Sequence, residues 1–70
     1  MALDTFGQNL RTLRQARGLS QDRLGALAGL SGRSVRSWEA DAAKPRHGAL
    51  AALAAALGVP VAALLPPGAL

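Results

Sequence analysis

The residues able to do chemistry cluster between Gln21 and Arg46: an amide at Gln21, hydroxyls at Ser31, Ser34 and Ser37, and cations at Arg33, Arg36, Lys44 and Arg46. A guanidinium donates parallel hydrogen bonds to paired acceptors, such as guanine O6 and N7 or the oxygens of a phosphate. The chemistry is that of gripping a polyanion. Catalysis finds no comparable pattern. There are four carboxylates and neither cysteine nor tyrosine, so general acid–base pairs, thiol nucleophiles and thiolate metal sites have few components. His47 stands alone, which argues against a metal cluster. Gly25, Gly29 and Gly32 do not sit between a strand and a helix, as a glycine-rich phosphate loop would require. No cofactor or metal is expected, and the protein reads as a non-enzyme.

Two short helices must position these groups. Ser20 can cap the first, in which Leu24, Leu27 and Ala28 recur at helical spacing, and Gly29 can take the left-handed conformation that ends it. Ser31 can cap the second, whose Val35 and Trp38 form an inward apolar stripe. Gly32, Arg33, Arg36 and Ser37 make up its outer face, polar and basic enough to suit a DNA major groove. Gly25 is small enough to let the two helices approach closely. Trp38 could in principle stack on a base, but its spacing from Val35 assigns it to the core.

The remainder also reads as helical. Thr5 and Gln8 have capping-box spacing, and Phe6, Leu10 and Leu13 line a helix running to about Arg17, closed by Gly18. Asp41 to Arg46 is a loop that Pro45 keeps from continuing the preceding helix. Solvent-facing His47 begins a fourth helix marked by Leu50, Leu53, Ala54 and Leu57 and ended by Gly58, and Val61 to Leu65 make a short fifth one stopped by Pro66 and Pro67. The expectation is an all-α fold of five helices in one domain over residues 1–70, with 66–70 a tail or the start of a linker.

The charge balance fits a polyanionic partner. Eight basic and four acidic residues give a formal charge of +4 and a pI near 11.6, and all of them lie between Asp4 and Arg46. A chain this small buries only about 60% of its unfolded surface, so modest stability is expected. The uncharged stretch from His47 onward is rich in alanine and interrupted by Gly58 and Pro60, which suits packed helices better than a membrane span. The start MALDTFGQ lacks the basic and apolar order of a secretory signal, so a cytoplasmic protein, associated with the nucleoid through DNA, is expected.

The motifs FGQNLRTLRQARGLSQ, LSGRSVRSWE, the loop to KPR, LAALAAALGV and VAALL together resemble the Cro and phage-repressor class, the Xre-like helix-turn-helix domains, over about Phe6 to Leu65. The resemblance implies a lambda-repressor-like arrangement in which the third helix enters the major groove. It also implies phosphate contacts from Gln21, Ser31, Ser34, Lys44 and Arg46, and base contacts from Gly32, Arg33, Arg36 and Ser37. Arg33 is the principal reader and Ser37 a weaker second. Gly32 departs from the class by carrying no reading side chain, consistent with either closer backbone approach to DNA or fewer bases read. Arg36 could contact a base or a phosphate, or lie on a solvated helix face. Arg14 and Glu39 match a structural ion pair of the class.

A sequence-specific double-stranded DNA-binding regulator follows, a repressor acting by occupancy as a homodimer. The uncharged tail offers Leu64, Leu65 and Leu70 as dimer contacts, although Leu64 and Leu65 could instead complete the monomer core. The alternatives are a module that binds a protein partner, such as the antitoxin of a toxin–antitoxin pair, and the excised DNA-binding domain of a larger regulator.

Overall fold

The computed structural model describes residues 5–66. These form α1 (Phe6–Ala16), α2 (Gln21–Ala28), α3 (Gly32–Glu39) and α4 (His47–Leu57), followed by a 3₁₀ turn, Val61–Leu64. No strand occurs among the described residues. The fifth helix of the sequence reading is thus a single 3₁₀ turn. Between Pro60 and Pro66 there are too few residues to build an α-helical ladder, and a 3₁₀ turn needs fewer.

Local signals set the helix ends. Thr5 and Gln8 complete a reciprocal capping box at α1. Ser20 Oγ accepts from the Arg23 N–H at α2, and Ser31 Oγ accepts from the Ser34 N–H at α3. Each satisfies a donor the helix leaves unpaired. Gly29 ends α2 at φ +73°, a conformation that costs glycine little.

Helix α2 packs on α3 and α4, α1 packs on α3, and the 3₁₀ turn closes over α4 and α1. Leu10, Leu24, Val35, Leu53, Leu57 and Leu64 are fully buried at their centre, with Phe6 and Trp38 nearly so. Each such leucine contributes about 1.5–3 kcal/mol of transfer free energy. The α2–α3 contact depends on Gly25, where a Cβ would stand 2.6 Å from the carbonyl carbon of Ser31 and 2.7 Å from the Gly32 nitrogen.

Two further expectations change. Leu27 is 50% exposed, because the inward row of α2 is taken by Leu24 and half-buried Ala28, four residues apart, and Leu27 falls to one side of it. Leu64 is fully buried in the core, so it is removed from the surface candidates for dimer contact. Leu65 is half-buried, while Leu70 lies outside the described residues, as does all of the 66–70 tail except Pro66. No described helix is long and apolar enough to cross a membrane.

Candidate nucleic-acid interface

The site is built on α3. Its inner face holds Val35 and Trp38 in the core, which turns Arg33 and Arg36 to solvent and leaves Ser34 and Ser37 half-exposed. Arg33 has no hydrogen-bond or ion-pair partner among the described contacts. The Ser31 hydroxyl donates to Ser34 Oγ at 3.1 Å while accepting from the Ser34 N–H. The Ser34 hydroxyl proton is left to donate elsewhere. Lys44 and Arg46 are exposed on the loop between α3 and α4.

The orientation of α3 is fixed by a charged network at its C-terminal end. Arg14 Nε donates to Glu39 Oε2 at 2.6 Å and Nη2 donates to Oε1 at 3.1 Å, while Nη1 donates to the Leu19 carbonyl at 2.7 Å. The side chains are 11% and 5% exposed. The hydrogen bonds that Arg14 donates to Glu39 raise its pKa against the opposing effect of burial, so its charge is permanent. Gln21 Nε2 donates to the same Glu39 Oε1 at 3.0 Å, drawing the start of α2 into the network. One of its amide hydrogens is therefore committed inside the protein.

Gly32 has an intramolecular explanation that the sequence reading did not contain. A Cβ there would meet the Asp22 side chain, with Cγ at 2.8 Å, and the Asp22 Cα at 2.9 Å. The bare position lets α3 begin against the first turn of α2. Asp22 in turn lies 3.5 Å from Arg36 through Oδ1 and Nη1, an exposed pair that contributes little.

Sequence reasoning also missed Asp41. Its Oδ2 accepts from the Thr5 hydroxyl at 2.6 Å and its Oδ1 from the Gly7 N–H at 3.0 Å, so a residue just beyond α3 caps α1. These hydrogen bonds, that of Thr5 foremost, lower its pKa. Asp41 adopts φ +57°, which aspartate tolerates better than most residues. Arg17, where the sequence ends the first helix, donates from Nε to the Leu57 carbonyl at 2.9 Å and so satisfies the end of α4. No group of three or more metal-ligating side chains gathers among the described residues.

Two helices joined by a glycine-ended turn, the second exposing a basic face over a buried tryptophan, define a helix-turn-helix protein. A family model for the helix-turn-helix domain matches residues 5–65, and the chain belongs to that family. Among solved structures it is similar to the P22 c2 repressor in complex with synthetic operator 9T, at 29% identity and TM-score 0.85 over 89% of this chain and 94% of that one. It is also similar to the restriction-modification controller protein C.AhdI from Aeromonas hydrophila, at 38% identity and TM-score 0.83 over 86% of this chain and 91% of that one. A third likeness, to Streptomyces albus HEPD with substrate and Fe(II) bound, has 33% identity and TM-score 0.86 over 96% of this chain but only 15% of the enzyme. A search of curated protein sequences returns no match.

Proposed function

We propose that this chain is a sequence-specific, double-stranded DNA-binding transcriptional regulator that places α3 in the major groove. The observation that carries the reading is the split of α3 into a core-anchored face at Val35 and Trp38 and an exposed face at Arg33. An eight-residue helix held at both ends presents its side chains with little freedom to lose. The likeness to a repressor in complex with operator DNA supports the same use here.

Arg33 reads guanine through O6 and N7, a pairing that gives about 1–3 kcal/mol of discrimination. Ser37, one turn further along α3, reaches a second base. Ser31 and Ser34 at the start of α3, and Lys44 and Arg46 beyond its end, hold phosphates on either side. Gln21 adds a phosphate contact through its remaining amide hydrogen. Gly32 contributes no base reading, so discrimination rests on fewer side chains and on the shape of the duplex.

A single module of this kind buries only about 600–1,000 Å² on DNA, which favours action as a homodimer. Two copies with their third helices about 34 Å apart along one DNA face would occupy a promoter and repress it. Leu65 is the described residue of the tail that remains available for that contact. Such a protein works in the cytoplasm, on the nucleoid.

Fluorescence anisotropy with genomic duplex fragments, titrated with salt, tests the reading. Affinity should fall steeply and linearly on a log–log plot as salt rises. Absence of binding even at low salt would remove it.

A further inference from the structure

We propose that a cleft between α1, the start of α2 and the edge of α3 seats one backbone phosphate, with Arg11 and Arg36 as its two arms. The proposal rests on the DNA reading above and adds a residue, Arg11, that neither the motif nor that reading assigns. It also assigns Arg36, for which the sequence left base, phosphate and solvated-face roles open, to the backbone.

The cleft has a volume of about 480 Å³, is open to solvent, and is lined by Arg11, Arg14, Gln21, Arg36, Glu39 and Ala40. Its charge is arranged in two layers. Arg14 and Glu39 cancel one another at the floor, and the guanidinium of Arg14 already donates from Nε, Nη1 and Nη2. The positive charge that remains comes from Arg11 and Arg36, both exposed. An anion entering the cleft would therefore meet the guanidinium groups of Arg11 and of Arg36, the latter in weak contact with Asp22, above a neutral, rigid base.

Gln21, which lines the cleft, brings further donors to its edge. Gln21 spends one amide hydrogen on Glu39 and keeps the other. At the start of α2, Ser20 Oγ takes the Arg23 N–H, while the N–H groups of Gln21 and Asp22 precede the first intrahelical hydrogen bond. Such groups favour an anion. The partner that Arg36 now has, Asp22 at 3.5 Å, is exposed on both sides, so exchanging it for a phosphate sacrifices a weak contact. Arg36, Glu39 and Ala40 all line the cleft at helical spacing, and Arg33 does not. That places Arg36 on the edge of α3 nearest α1. A phosphodiester fits this chemistry because it offers two acceptor oxygens to two forked donors.

The test uses the full chain, a labelled duplex and anisotropy titrations between about 50 and 200 mM salt. The proteins are wild type, Arg11→Ala, Arg36→Ala, the double variant, and Arg23→Ala as a control on an exposed cation outside the cleft. Circular dichroism melts confirm folding, which these exposed side chains should not disturb. Each cleft substitution should weaken all duplex sequences by a similar factor. The double variant should lower the salt slope by about 0.9, the value of one shared phosphate, and Arg23→Ala should leave the slope unchanged. A drop of about 1.8 would mean two separate phosphates, and an unchanged slope would mean none. Either overturns the proposal, as would an equal drop with Arg23→Ala or a loss confined to one base pair with Arg36→Ala. If the wild-type protein itself shows no salt-dependent DNA binding, the functional reading fails first and takes this site with it.

Discussion

Arg14 of α1 grips Glu39 of α3 through two hydrogen bonds, Nε to Oε2 at 2.6 Å and Nη2 to Oε1 at 3.1 Å, with both side chains largely withdrawn from water. The pair determines how the proposed recognition helix leans on the body of the protein. Removing Arg14 alone, as in Arg14→Met, leaves a buried carboxylate with Gln21 as its remaining side-chain partner. Breaking a buried pair in this way costs about 3–5 kcal/mol, a large part of the about 5–15 kcal/mol that stabilises a typical domain. Urea unfolding should show this loss, and the apolar double variant Arg14→Met/Glu39→Leu should recover most of it. A single variant as stable as wild type would show that the pair holds nothing in place.

Much of the fold was legible in the sequence because the signals are local. Thr5, Ser20 and Ser31 act on N–H groups three residues away, and Gly29 acts on its own backbone. What escaped was long-range. The contacts of Asp41 with Gly7, Arg17 with Leu57 and Asn9 with Leu64 span 34, 40 and 55 residues, and no periodicity encodes them. Leu27 was misplaced because i+3 and i+4 spacing cannot be ranked before the neighbouring helices are in position. At the candidate site, residue types and the exposed face were readable. The Gly32–Asp22 contact and the convergence of Arg11 with Arg36 required the packing of three helices.

Gly25→Ala should be more damaging than its size suggests. The added methyl would meet backbone atoms of Ser31 and Gly32, at 2.6 and 2.7 Å, and backbone cannot yield as a flexible side chain does. Overpacking of this kind costs about 1–3 kcal/mol. A thermal melt should show a clear fall in Tm, and an unchanged Tm would mean that α2 and α3 are less closely fitted than described.

Asp41 predicts a pH dependence. Its folded pKa is lowered, first by the Thr5 hydroxyl and then by the Gly7 N–H, with a smaller contribution from Lys44. The ionised form therefore binds the folded state preferentially. The stability it contributes is present above its unfolded pKa and is lost as pH falls through the folded value. Asp41→Asn should be less stable than wild type at neutral pH, and the difference should shrink on acidification below the ordinary aspartate range. A difference that stays constant down to pH 2 would assign the effect to something other than this carboxylate.

Lys44 lies on an exposed loop, and its proposed partner is a phosphate rather than a base. Lys44→Ala should weaken binding to all duplexes alike and lower the salt slope by about one, with only the small fall in Tm that its minor contribution to Asp41 implies. Selective loss on one sequence, read in the same anisotropy titration, would contradict that role.

Selection of duplexes from a random pool, performed in parallel with wild type and Arg33→Ala, addresses the major-groove claim most directly. The account predicts that wild type enriches a motif containing guanine at one position of each half-site, and that Arg33→Ala loses preference in that column while keeping the others. An identical motif from both proteins, or no enrichment by wild type, would contradict it.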